Sequence, residues 1–344
     1  MKRTLWMLVG LWMAFLTSCE HKELCYHHPH TATVRVEFDW RNAPDANPEG
    51  MCVFFYPILE DSRDSEELGS AIRYDFKGTT GGPVDLQVGR YRAICYNNDT
   101  EGLLFSGMNQ FETNYGYTRE GNIFESVMGN AASYAPRAEG TEGERVVISP
   151  DMMWGCNAFD IEVTDYGLSY VCVPEKDKDK VEVRDTEYVI TLYPDELICT
   201  YTYEIRNVSN LKNVTQMCAS LSGMSGGLFF GKEELDKECV TLPVESLKGD
   251  DTTIVGQFFT FGHHPENLEE HRMLLYVWLK DGEKIYYGQN SDKFNVTEQI
   301  HNAPDKRHVH IIIDGLDLPQ AIENGEGYEV EVDDWYEVNE EIEL

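Results

Sequence analysis

The sequence predicts an all-β protein, a pair of antiparallel β-sandwiches in tandem, on three observations. Apolar and polar residues alternate with a period of two, as in Thr33 to Trp40, where Val34, Val36, Phe38 and Trp40 oppose Arg35, Glu37 and Asp39. No stretch repeats apolar residues at i, i+3, i+4 and i+7 for three turns, so the helical crossovers of a parallel sheet are missing. Two runs of strand patterns flank a wholly charged stretch, Glu175-Lys176-Asp177-Lys178-Asp179-Lys180. Sheets packed face to face need such alternation, one face dry and one wet.

At the N-terminus a basic start, Lys2-Arg3, precedes an uncharged apolar run from Leu5 to Leu16. A permanent membrane helix needs about 20 apolar residues, so this run reads as an export signal. Leu16-Thr17-Ser18-Cys19 then resembles the lipobox of bacterial lipoproteins, in which the cysteine becomes the first residue and carries acyl chains such as palmitate. Cys19 is the expected lipidation site, with 1–18 as signal peptide and 19–32 as a lipidated tether; a plain signal with a chance cysteine is the competing reading. Two or three acyl chains, at about 0.8 kcal/mol per buried CH₂, anchor a protein durably. No later segment is long and apolar enough to add a second span.

The strand pattern begins at Thr33 and continues through Met51 to Tyr56, Ala71 to Phe76 and Val84 to Val88. Glu60 to Leu68 is polar and fits a loop or one short helix. Gly89 breaks the extended run, which predicts a hairpin between 84–88 and 91–96. Gly116 to Gly143 has little alternation and reads as a long loop. Val146 to Ile148 and Ala158 to Val163 are short strands. The charged stretch is either a hairpin tip or a joint between domains; placed as a joint at 175–186, it separates a domain over 33–174 from one over 187–320. The second domain carries strands at Glu187 to Leu192, Ile198 to Ile205, Leu228 to Gly231, Thr253 to Phe261, Met273 to Lys280 and Val309 to Ile313. Residues 321–344 hold ten acidic side chains and no basic one, an expected acidic tail.

The formal charge of -33 argues against nucleic acid or an anionic surface as partner, because both repel a chain of this sign. The cysteines beyond Cys19 form no CxxC pair. Cys52, Cys95 and Cys199 fall inside strand patterns, where a thiol behaves as a small core hydrophobe.

Chemistry is sparse. Gly223-Met224-Ser225-Gly226-Gly227 has the spacing of a nucleophile elbow, but Asn213 to Leu221 is not a clear buried strand and Leu228-Phe229-Phe230 begins a strand where a helix is required. His263 and His264 could supply a base to Ser225, although nothing fixes their distance from it. His27, His28 and His30, with Cys25, form the densest imidazole group and suit a soft divalent ion. Pro29 and the lack of packing near a membrane argue against that use. His308 and His310 share a strand face and could reach one partner. Asn97-Asn98-Asp99-Thr100-Glu101 offers oxygen ligands for calcium, though a turn capped by its own side chains is the simpler account. No catalytic residue, cofactor or metal is therefore assigned. Aromatic residues make up 12% of the chain and include Trp40, Trp154, Trp278 and Trp335, which keeps glycan stacking open as an alternative function.

Three segments carry a resemblance: Glu23-Leu24-Cys25-Tyr26-His27-His28-Pro29-His30 with the strand that follows; Gly89-Arg90-Tyr91 leading to Tyr96-Asn97-Asn98-Asp99-Thr100; and Leu221-Ser222-Gly223-Met224-Ser225. Together they resemble a DUF5119-like group of Bacteroidales lipoproteins within the wider superfamily of fimbrial anchors and minor subunits. The resemblance implies two transthyretin-like β-sandwich domains in tandem, an outer-membrane location at the cell surface, and fimbrillin-like subunits as partners. It also implies a non-enzymatic role as anchor or accessory subunit of an adhesive fibre. Subunits of related assemblies join when an extended segment of one fills a strand position in the next. No arginine-centred processing site lies between Glu20 and Thr33, which fits an anchor kept by its lipid.

Overall fold

A computed structural model describes residues 31–59, 67–128, 135–164 and 188–320. The expected signal peptide at 1–18, the expected lipidation site Cys19 and its tether up to residue 30, the expected joint at 175–186 and the expected acidic tail at 321–344 lie outside the described residues. The chain is predominantly β, with helix confined to short pieces such as Glu125–Met128 and Thr297–His301. Among the described residues no helix is long and apolar enough to cross a membrane.

Two compact units form, and they are not sequential. One comprises residues 1–98 with 156–194, the other 99–155 with 195–344, whereas the sequence reading divided the chain at 175–186. The difference arises between residues 103 and 146, only part of which (116–143) reads as a loop in the sequence. Tyr115–Thr118 is a strand pairing with Leu103–Ser106 and Gly227–Phe229, and Arg145–Val146 pairs with Cys239–Glu245, so backbone hydrogen bonds tie residues 103–146 to the C-terminal half.

In the first unit, Thr31–Phe38 is the middle strand of three, parallel to Val189–Leu192 and antiparallel to Gly82–Gln87. Its alternation is realised: Ala32, Val34, Val36 and Phe38 are buried, while Thr33 and Glu37 are exposed. Opposite stands a sheet of Trp154–Val163, Gly89–Asn97 and Gly50–Leu59, the last also pairing with Ile72–Lys77 and Glu67–Leu68. One core joins the two layers, with Val36 and Leu86 from the first and Met51, Val53, Phe55, Tyr91 and Cys95 from the second. The expected 84–88/91–96 hairpin is not formed, because the chain changes layer at Val88 and the two strands enter different sheets. Cys52, Cys95 and Cys199 are buried as expected, and the Cys95 Sγ lies 3.3 Å from the Cys156 Sγ.

The second unit sets the sheet Leu247–Lys248, Ile254–Thr260, Cys199–Ser209, His308–Asp317 against the sheet Lys284–Tyr287, Met273–Leu279, Val214–Ser225, Cys239–Glu245, Arg145–Val146. Tyr201, Tyr203 and Ile205 from the one and Leu221, Leu242, Leu275 and Val277 from the other share a core. Antiparallel pairing dominates but is not universal, which corrects the expectation of purely antiparallel sheets. His308–Asp317 runs parallel to Cys199–Ser209, and Arg145–Val146 parallel to Cys239–Glu245. Parallel neighbours arise here without βαβ units because the paired strands are about a hundred residues apart in sequence, leaving ample chain for the return.

Candidate functional site

Val214–Ser225, which alternation did not reveal, is a twelve-residue strand buried almost throughout from Met217 onward. Met217, Ala219 and Leu221 join the main core of the unit, while Cys218 on the other face joins a second cluster with Phe124, Tyr276 and Trp278, so both faces are covered and the period of two is lost. Leu221 pairs with Leu242 and Met224 with Val240, so one extra residue is accommodated between them. Gly223 occupies this bulge at φ +79°, a conformation that suits glycine, and a Cβ there would lie 2.7 Å from the His271 Nδ1. The bulge turns two backbone groups sideways. The Gly223 amide donates to the Glu144 carboxylate at 3.2 Å, and the Ser222 carbonyl meets the His271 Nδ1 at 3.1 Å.

His271 precedes the strand Met273–Leu279 and is fully buried. Its backbone is clamped: its amide donates to the Thr297 Oγ1 at 2.8 Å, and its carbonyl accepts from the Val296 amide at 2.8 Å. The same contacts fix the start of the helix Thr297–His301, whose last residue presents its imidazole to the cluster. His263, three residues past the strand Ile254–Thr260, supplies the third ring. The His271 Nε2 lies 3.0 Å from the His263 Nδ1 and 3.1 Å from the His301 Nε2. The rings of His263 and His301 stack at 4.1 Å, and both stand nearly perpendicular to His271.

A carbonyl oxygen can only accept, so the Ser222 contact places the His271 proton on Nδ1 and leaves Nε2 with a lone pair facing the other two rings. Burial pushes the pKa of His271 down to about 4, with the charge of His301 acting in the same direction. His263 is also pushed down to about 4, first by burial and then by the charges of His271, His301 and Lys306. Beside this cluster the loop between His263 and His271 lines an open groove of about 880 Å³ with Glu144, Glu238, Glu266, Glu269 and Glu270. Burial is the main cause that raises the Glu144 pKa, against the hydrogen bonds from Thr241 and Gly223.

The residues singled out in the sequence fare differently. Cys19, Cys25, His27, His28 and His30 lie outside the described residues. Ser225 is 2% exposed, and its hydroxyl is directed to the carbonyls of Gly227 and Asp236 at 3.0 and 2.8 Å. A strand does lead into it, contrary to expectation, but the strand Gly227–Phe229 follows where an elbow requires a helix. His264 is buried, with its Nδ1 accepting from the Glu266 amide. His308 and His310 do not share a partner: His308 contacts Asp305 and Glu196, and His310 contacts Thr202 and Glu204. In the Asn97–Glu101 stretch the Asn98 side chain donates to Asp75, while the Glu101 and Gly102 amides donate to Asp151. Those bonds run to carboxylates outside the stretch, where a self-capped turn was the expectation. Trp278 is buried, and the Trp40 indole donates to the Thr79 carbonyl. Trp335 lies outside the described residues. His271 and His301 were missed because they are 8 and 38 residues beyond His263 and no local spacing announces them.

Comparison with known proteins finds several similar ones. Over 186 residues the chain is 28% identical to Fim4B of Bacteroides ovatus, a candidate fimbrium anchoring subunit, covering 52% of this chain and 49% of that one. The chain thus spans about half the length of the curated relative it matches. A crystal structure of a candidate adhesin from Bacteroides ovatus shares the fold, with a TM-score of 0.53 at 20% identity over 88% of this chain and 99% of that one. A weaker likeness, TM-score 0.42 at 13% identity over 82% of this chain and 91% of that one, is to the fimbrial anchor protein Mfa2 of Porphyromonas gingivalis. Residues 18–245, which take in the first unit and the bulged strand Val214–Ser225, match the family described as Domain of unknown function (DUF5119), and the chain belongs to that family.

Proposed function

We propose that this chain is a non-enzymatic lipoprotein of the outer membrane, held at the cell surface by acyl chains on Cys19, and that it anchors or joins a fimbria-like adhesive assembly. The similarity to a candidate fimbrium anchoring subunit carries the reading. In it, the two units are transthyretin-like β-sandwiches, 1–18 is the signal peptide, 19–32 the tether and 321–344 an acidic tail. The family match begins at residue 18, next to the cysteine that would become the mature N-terminus.

The position of the first strand supports permanence. Thr31–Phe38 has a hydrogen-bonded neighbour on each side and contributes Val34, Val36 and Phe38 to the core, so its removal would open the fold. An anchor keeps this segment and, through it, the lipid. Fimbrillin-like subunits would be captured by strand addition, in which backbone hydrogen bonds supply affinity and alternate side chains supply selectivity. Gly82–Gln87 and Val189–Leu192 end their sheet among the described residues and are of the right kind for such pairing. Ser225, the best candidate nucleophile, is buried and bonded to carbonyls, which supports a role in contact over one in turnover.

Protein isolated from gently sheared cells is expected to bring down a repetitive fimbrillin-like partner. Recovery of the chain alone at several ionic strengths contradicts the proposal, and a titratable response on a glycan array would favour the glycan-binding alternative.

A further inference from the structure

We propose that His263, His271 and His301 form a binding site for a divalent first-row transition ion, Zn²⁺ being the best match. The three candidate ligand atoms lie within 4.8 Å of one another, and all three residues belong to the second unit. Two nitrogens stand 3.0 and 3.1 Å from the His271 Nε2. Ligands on a tetrahedral zinc with Zn–N of about 2.0–2.1 Å are separated by roughly 3.3 Å, so both contacts to His271 are already near ligand spacing, and the ion would draw the half-buried rings of His263 and His301 into place around it.

The hydrogen-bond inventory of the ion-free cluster does not close. The single lone pair of the His271 Nε2 faces two other ring nitrogens and can satisfy one N–H; the second nitrogen is left either as an unmatched donor or as a lone pair opposed to a lone pair. An ion at the centre takes one lone pair from each ring and removes the conflict. The contact between the His271 Nδ1 and the Ser222 carbonyl is the arrangement that orients a ligating imidazole, its far N–H fixed on a backbone carbonyl. Gly223 leaves the space that this contact needs.

Three imidazoles with no thiolate among them select Zn²⁺, Cu²⁺, Ni²⁺ or Co²⁺ over Ca²⁺ and Mg²⁺, which prefer oxygen. His263 and His301 are only half-buried, which leaves a route from solvent and a fourth position for water. In the groove beside the cluster Glu266 is paired with Lys237 and Glu270 with Arg272, while Glu269 and Glu144 add negative charge that favours a cation. The ion would clip three separate pieces together: the end of the strand Ile254–Thr260, the start of the strand Met273–Leu279 and the helix Thr297–His301. The site lies beyond the residues 18–245 matched by the family and is independent of the proposed fimbrial role.

The test uses the full mature chain in detergent, stripped with a chelator and carrying H27Q/H28Q/H30Q so that the N-terminal histidines do not report. Titration with ZnCl₂ is expected to show one ion per chain with a rise in Tm, CoCl₂ to give the intense visible bands of tetrahedral nitrogen coordination, and CaCl₂ or MgCl₂ to do neither. Adding H263Q/H301Q is expected to weaken zinc binding by at least about 100-fold while circular dichroism stays β-rich. Should the double variant fail to fold, H301Q alone, at the end of the short helix, decides the matter by the same loss. Absence of saturable zinc binding in the parent, or unchanged stoichiometric binding in the folded variant, overturns the proposal.

Discussion

Replacing Val34 and Val36 by alanine asks whether the first strand is a permanent part of its unit. Both side chains are buried, Val36 completely, between the layer that holds them and the layer of Met51, Val53 and Phe55. Each substitution removes two carbons from the core at about 0.8 kcal/mol per CH₂ and leaves a cavity that costs about 24 cal/mol per Å³, roughly 2–3 kcal/mol apiece. The two residues are neighbours on one face and share their surroundings, so roughly 4–5 kcal/mol is expected for the pair. Native stability is typically about 5–15 kcal/mol, so the unit would be close to unfolding. Urea denaturation, with hydrogen exchange followed by mass spectrometry on peptides spanning 31–38, measures the loss where it occurs. In the parent these amides should exchange only with unfolding of the unit, because the strand is paired on both sides. A loss below about 1 kcal/mol for the pair, with fast exchange of 31–38 in the parent, would refute the view that the strand is fixed in the core.

Ser225→Ala should cost about 1–2 kcal/mol, since the one buried O–H placed between the Gly227 and Asp236 carbonyls is lost, and the parent protein should not react with a fluorophosphonate probe; labelling of the parent at Ser225 would show a nucleophile instead. In the presence of a chelator, stability should fall in acid. The folded-state pKa of His271 is depressed to about 4 from 6.5, so the unfolded chain takes up the proton first; the stability is fully present above about pH 6.5 and is lost as pH falls through about 4. For this fully buried ring the effect is about 3 kcal/mol, with a smaller addition from half-exposed His263, and urea midpoints unchanged between pH 7 and pH 4.5 would contradict it. Gln299→Ala should raise concentration-dependent association in sedimentation velocity. The Gln299 side chain now donates to the Ile312 carbonyl at 2.9 Å and accepts from the Ile312 amide at 2.8 Å, capping the edge strand His308–Asp317 as a neighbouring strand would.

Strands with one wet face were legible in the sequence. Thr31–Phe38 and Cys199–Ser209 alternate in burial as they alternate in polarity, because each has a core on one side only. Val214–Ser225 was not legible, since it is covered on both faces and built partly from small residues, Cys218, Ala219, Ser220 and Gly223. The layer change at Val88 looks locally like a hairpin turn; which sheet each strand joins depends on partners such as Ala32 and Phe54 that no local pattern identifies. The division into units escaped for the same reason, since the strand Tyr115–Thr118 finds its partner Gly227–Phe229 more than a hundred residues later. At the candidate site, Gly223 and Ser225 drew notice for the wrong chemistry: the glycine makes the bulge that orients His271, and the serine ties the chain to Gly227 and Asp236. His271 and His301 sit in unremarkable sequence and meet only through tertiary structure.

Retention at the outer membrane through Cys19, in company with a fibre, is the claim on which the function rests. Mass spectrometry of the mature N-terminus, on protein extracted with detergent from outer membranes that still bear their fibres, tests it directly. The account predicts an acylated peptide beginning at Cys19, with a fimbrillin-like subunit in the same complex. An unacylated N-terminus on a protein recovered free from the medium would contradict it.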